Sequence, residues 1–166
     1  MTNSPLTLDD FSETHSDWEM VSDQVMGGVS DGTLAHEALR GRMALRLTGL
    51  VSTENNGGFL QMARDLGEGQ GMDASGYTGL ELDVLGNGEV YNIHLRTADV
   101  TRPWQSYRAS FTAPSDWTTL KLPFKDFEAH RITSPLDLKS LRRIGIVAIG
   151  KAFTADVAVA DLRLYP

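Results

Sequence analysis

Four polar side chains able to hold a ligand recur at two-residue spacing on two neighbouring segments. Along Val90–Thr97, Asn92, His94 and Arg96 alternate with Tyr91, Ile93 and Leu95; along Ser106–Phe111, Arg108 alternates with Tyr107, Ala109 and Phe111. A period of two places successive side chains on opposite faces of a strand. The apolar set then faces a core, and Asn92, His94, Arg96 and Arg108 share the other face if the two strands are adjacent and antiparallel. Two guanidiniums offer planar, paired donors to a carboxylate, a phosphate or sugar hydroxyls. Trp104, directly after Pro103, offers a flat apolar platform for a sugar or a partner side chain. The competing reading is that Arg96 and Arg108 pair with Asp23, Glu54 or Asp83 and only hold loops in place, as cross-strand ion pairs do.

A second constellation is a pair of glycine-punctuated loops, Asp23-Gln24-Val25-Met26-Gly27-Gly28-Val29-Ser30 and Glu54-Asn55-Asn56-Gly57-Gly58-Phe59. Asp23, Met26, Gly27, Gly28, Asn55 and Asn56 are candidate rim residues of a binding site. Asp23, Ser30 and Asp31 supply oxygens of the kind a hard cation takes, but no alternating Asp-x-Asp-x-Asp loop with a closing Glu is present. The alternative is a structural loop in which Asp23 caps backbone amides.

Signs of catalysis are missing. His15, His36, His94 and His130 lack metal-ligand spacing. No serine sits in a nucleophile elbow, and Gly86-Asn87-Gly88 is too short for a nucleotide fingerprint. Cysteine is absent, which removes disulfides, thiol catalysis and Cys-ligated metals. The expectation is a protein that is not an enzyme, with no cofactor and no metal.

The elements that would position these residues are strands. Leu80, Leu82 and Val84 alternate with Glu81 and Asp83; Thr118, Leu120 and Leu122 repeat the pattern before Pro123; and Met43, Leu45, Leu47 and Gly49 share a face. Ile144–Ile149 reads as a strand buried on both sides, and Asp156–Leu164 closes the chain. Gly86-Asn87-Gly88 predicts a hairpin between the Leu80 and Val90 strands, and Asn56-Gly57 predicts another joining the Met43 strand to Gly58–Ala63. Only Asp137–Arg143, after Pro135, reads as a short helix. About nine or ten strands with turn signals every 8–12 residues predict an all-β fold, a β-sandwich of jelly-roll wiring in a single domain over residues 1–166.

Composition narrows the partners. The 166 residues carry a net charge of −7, and residues 1–40 hold eight acids against one base, while the remainder balances at fourteen of each. Such a field disfavours nucleic acid and anionic lipid. No apolar run approaches the ~20 residues that span a bilayer, so membrane insertion is not expected. Met1–Leu6 lacks the basic and apolar regions of a secretory signal, and a cytoplasmic location is the expectation.

Four ordered blocks resemble the complex I intermediate-associated protein 30 family. They are Trp18 with Val21-Ser22-Asp23 and Met26-Gly27-Gly28-x-Ser30; Gly49-x-Val51-Ser52 with Asn55-Asn56-Gly57-Gly58-Phe59; Tyr77-x-Gly79-Leu80 with Gly86-Asn87-Gly88-x-x-Tyr91 and Leu95-Arg96-Thr97; and Tyr107-x-Ala109-x-Phe111 with Trp117, Leu122-Pro123-Phe124 and Asp126-Phe127. The resemblance implies a galactose-binding-like jelly roll similar to carbohydrate-binding modules. It also implies a chaperone-like assembly factor whose client is a protein, complex I subunits being the family's case. Gly-Asn-Gly-Glu at 86–89 departs from the Gly-Asp-Gly-Arg frequent in the family, and the acidic start is the reverse of a mitochondrial presequence. The reading from residues alone keeps a second option, a carbohydrate- or small-anion-binding module using the polar sheet face.

Overall fold

The computed structural model describes residues 4–12, 17–67 and 70–166, leaving His15 and the side chain of Asn56 outside what is described. Among the described residues, twelve strands form two antiparallel six-stranded sheets. They are β1 (Leu6–Asp9), β2 (Glu19–Ser22), β3 (Asp31–Leu39), β4 (Arg42–Val51), β5 (Phe59–Asp65), β6 (Gly79–Gly86), β7 (Val90–Thr97), β8 (Ser106–Thr112), β9 (Thr118–Pro123), β10 (Glu128–His130), β11 (Leu141–Ile149) and β12 (Phe153–Tyr165). The first sheet runs β3-β4-β12-β6-β9, with β1 also paired to β12; the second runs β10-β8-β7-β11-β5-β2.

The inward faces follow from the alternation. Leu80, Leu82 and Val84 of β6 meet Tyr91, Ile93 and Leu95 of β7 in a shared core, all at most 1% exposed. Each such leucine or isoleucine contributes about 1.5–3 kcal/mol by leaving water. Tyr91 is the centre of an aromatic group, with Phe111 and Phe153 at 6.1 and 5.9 Å. Its hydroxyl donates to Asn87 Oδ1 at 2.7 Å and accepts from the Asp156 amide at 2.9 Å, so the buried phenol is satisfied. Trp18, Phe124 and Phe127 are buried as well, and β11 is buried on both faces from Ile144 to Ala148.

Both expected hairpins are absent. β6 belongs to the first sheet and β7 to the second, and β5 pairs with β11 and β2 rather than with β4. The Gly86–Gly88 segment instead bonds to the chain before β9: the Gly86 and Gly88 amides donate to Pro114 and Ala113 carbonyls at 2.7 and 2.8 Å. An amphipathic strand buries its apolar side equally well in either sheet of a sandwich, so alternation reports a face and not a partner. Met43 lies at the open end of β4 and is 38% exposed, so the buried side of that strand begins at Leu45. The short helix near 137–143 is one 3-10 turn, Leu138–Ser140, capped by the Asp137 carboxylate accepting from the Lys139 amide at 3.0 Å. From Leu141 the chain is already in β11.

Candidate functional site

β7 and β8 are adjacent and antiparallel, with His94 opposite Arg108 and Asn92 opposite Ser110. On its other edge β7 pairs with β11, which sets Arg96 beside Arg143 and His94 beside Gly145. The outer face of the second sheet thus carries a polar row. His94, Arg96 and Arg108 converge there with Gln61, Gln105, Ser106, Arg143 and Gly145 around a cleft of about 70 Å³. Pro103 closes one side, and Trp104 beside it is 56% exposed. Asn92 shares the face one row away and does not line this cleft. An adjoining cleft of about 130 Å³ is lined by Asp65, Arg96, Thr97, Val100, Arg142 and Arg143, so Arg96 and Arg143 stand between the two.

On this face Arg143 pairs with Glu19 and Asp65, whereas Arg96 and Arg108 lack counter-charges. Arg96 donates to the Pro103 and Arg102 carbonyls at 3.2 and 3.4 Å, and Arg108 donates to Ser106 Oγ at 2.8 Å. Among the described residues neither makes an ion pair, so the expected pairing with Asp23, Glu54 or Asp83 does not occur. Glu128 stands opposite Arg108 on β10 without forming a salt bridge to it. Burial lowers both guanidinium pKa values below the usual range, reinforced by Arg143 and Arg142 for Arg96 and by Arg131 for Arg108. Burial also pushes the His94 imidazole down to about 3, helped by Arg108, His130 and Arg96, so the ring is neutral. Its Nε2 is buried with no hydrogen-bond partner.

The glycine loops form a different structure. Asp23 opens a 3-10 turn, Asp23–Met26, and its side chain is fully buried. It accepts from the Ser30 amide (2.9 Å), Ser30 Oγ (2.5 Å), and the Gly58 (2.5 Å) and Phe59 (3.3 Å) amides. Burial opposes its ionisation, but these donors outweigh burial and hold the carboxyl below its ordinary pKa. The glycines make room for it. A Cβ on Gly28 would lie 2.5 Å from Asp23 Cγ, and one on Gly57 would lie 2.4 Å from Oδ2. Asn55 ties the loops together, donating to the Gly27 carbonyl at 3.2 Å. Asp23 is therefore beneath the rim, and Met26 is on it at 62% exposure, with Val25, Val29 and Leu50 exposed nearby. Among the described residues no group of three His, Asp or Glu side chains is placed to hold a metal.

Gln61, Gln105, Ser106, Arg143 and Gly145 were not candidates from sequence. Arg143 belongs to β11, which pairs with β7, and Gln61 to β5 on the far side of β11, both placed there only by long-range pairing. The one local signal was Gly145 inside an Ile/Val-rich strand, where glycine marks a close approach: a Cβ there would meet Gln61 Oε1 at 2.1 Å.

The architecture is a jelly-roll sandwich with a shallow polar cleft on one sheet. The chain belongs to the Complex I intermediate-associated protein 30 family, whose model matches residues 9–158. No curated protein matches the sequence. Among solved structures it is similar to a family 11 carbohydrate-binding module from Clostridium thermocellum in complex with a β-1,3-1,4-mixed-linked tetrasaccharide (TM-score 0.78, 16% identity, 97% of this chain and 95% of that one). It is also similar to the family 11 module of the cellulosomal cellulase Lic26A-Cel5E of the same organism (0.79, 16%, 99% and 96%). A third is the family 30 module of the C. thermocellum cellulase Cel9D-Cel44B (0.66, 20%, 99% and 94%). At these identities the likeness establishes the fold. Among the described residues no helix is long and apolar enough to cross a membrane.

Proposed function

We propose that this protein is a non-catalytic, chaperone-like assembly factor that holds a protein client, with subunits of complex I or of a similar multisubunit enzyme as that client. Family membership supports this reading, and one observation carries it. Val25 (77% exposed), Met26 (62%) and Val29 (45%) lie on the Asp23–Ser30 loop, and Leu50 (64%) pairs with Asp31 at the end of that loop. Scattered apolar residues on a surface are ordinary, whereas a contiguous patch signals a partner. Val25, Met26 and Val29 sit on the loop built around Asp23 and Leu50 sits on β4, so these side chains are held in place before any client arrives. Affinity capture from the native organism is expected to recover complex I subunits, and Met26→Asp, which alters only an exposed side chain, is expected to abolish recovery. An empty capture under crosslinking would end the reading.

A second reading, carbohydrate binding on the second sheet, is supported by Trp104 standing exposed beside the cleft of His94, Arg96 and Arg108. Under it a mixed-linked glucan tetrasaccharide titrated into the protein shifts the Trp104 fluorescence. An unchanged spectrum at millimolar sugar removes that reading.

A further inference from the structure

Six of the eleven arginines form ion pairs with described residues: Arg40, Arg42, Arg46, Arg64, Arg143 and Arg163. The other five, Arg96, Arg102, Arg108, Arg131 and Arg142, all lie on β7, β8, β11 or the loops that frame them. Unlike the acidic chain as a whole, this end of the second sheet is rich in cations, and the one carboxylate lining its clefts, Asp65, is already paired with Arg143. His94 lines the smaller cleft, and its buried Nε2 has no hydrogen-bond partner among the described residues.

Size decides what fits. Pockets that enclose a whole small molecule run to about 300–1,000 Å³. The clefts here hold about 70 and 130 Å³, enough for a side-chain head group and too little to enclose a sugar ring with its neighbours. They lie on either side of Arg96 and Arg143. A guanidinium is planar and forked, matched to the two oxygens of a carboxylate.

We propose that these twin clefts take successive carboxylates of an acidic peptide segment, one against Arg108, Ser106 and His94, the other against Arg142 and Thr97, with Arg96 between them. The proposal rests on the protein-client reading above and names the chemistry of the client segment that docks on the second sheet. The neutral imidazole adds a directional hydrogen bond rather than charge.

The test is an NMR titration of the full chain with hexaglutamate at low ionic strength, repeated with inorganic phosphate and with the mixed-linked tetrasaccharide. Hexaglutamate is expected to shift the backbone amides of β7 and β8. Arg96→Gln with Arg108→Gln is expected to weaken binding at least tenfold. His94→Ala, which changes no charge, is expected to weaken it about fivefold. Lys151→Gln, which removes an exposed cation elsewhere, is expected to leave it unchanged. Failure of hexaglutamate to bind, equal losses with Lys151→Gln, or tighter binding of phosphate or sugar at the same amides would each overturn the proposal. If hexaglutamate fails while Met26→Asp still abolishes client capture, only this inference falls. If hexaglutamate binds and no client is captured, the assembly reading falls instead.

Discussion

The first sheet and the β7–β8 region of the second carry the same kinds of charged residue on their outer faces and use them in opposite ways. On the first sheet Arg163 contacts Glu81 at 2.5 Å, Asp161 at 3.1 Å and Asp83 at 3.4 Å; Arg46 bridges Glu37 and Asp156 at 2.9 and 2.8 Å; and Arg42 reaches Asp83 at 2.8 Å. Every cation there has its anion. On the second sheet Arg96 and Arg108 reach only carbonyls and a hydroxyl. The Asp23 knot completes the contrast, being an anion satisfied by backbone amides without any cation. Networks that close on themselves stabilise the fold, and a cluster left open has interaction capacity to offer a partner.

Substitutions at the closed sites should therefore cost stability, and those at the open site should not. The largest effect is expected from Asp23→Ala, which removes the acceptor of the buried Ser30 and Gly58 amides and of the half-buried Phe59 amide. Urea unfolding should show a loss of at least about 3 kcal/mol. Because the folded Asp23 pKa is lowered, its contribution is present above the unfolded carboxyl value and disappears as pH falls through the folded one. Arg163→Gln comes next, at about 2 kcal/mol, since it leaves Asp161 without this cation and Glu81 and Asp83 with only Lys121 and Arg42. Gly28→Ala should cost about 1–2 kcal/mol by pressing a methyl into the Asp23 carboxylate.

A pH effect of about 1 kcal/mol is expected from His94. Its folded pKa lies near 3, below the unfolded value, so below about pH 6.5 the unfolded chain takes up a proton that the native one refuses. Stability should thus decline between pH 6.5 and 5.5, by more in the native protein than in His94→Gln. His130, also lowered, contributes with the same sign to both. The smallest effect is expected from Arg108→Gln, within about 0.5 kcal/mol of the parent. A loss matching that of Arg163→Gln would break the comparison and make the second sheet as structural as the first.

Much of this was legible along the chain. The face shared by His94, Arg96 and Arg108 followed from period-two alternation on β7 and β8, and the family blocks pointed to the jelly roll. The Asp23 loop admitted the amide-capping reading that the hydrogen bonds display. What was illegible was long-range. Nothing near Gly86 or Gly57 announces that the chain crosses to the other sheet, because either sheet buries the same apolar face. Nothing near Arg143 says that it will stand beside Arg96. The expected ion pairs of Arg96 and Arg108 were assigned to carboxylates that the fold places with other partners, Asp83 with Arg42 and Arg163 and Asp23 with amides.

The sequence by itself determined the class of most elements, the core-facing side of the central strands, and the family. Those depend on residue type and spacing within a few positions, where backbone sterics and burial act. Only the tertiary structure decided which strands are neighbours, and through that which charges cancel and which stay open. A Coulomb or hydrogen-bond contact depends on distances of a few ångströms between residues as far apart as Arg46 and Asp156, and spacing along a chain carries no such information.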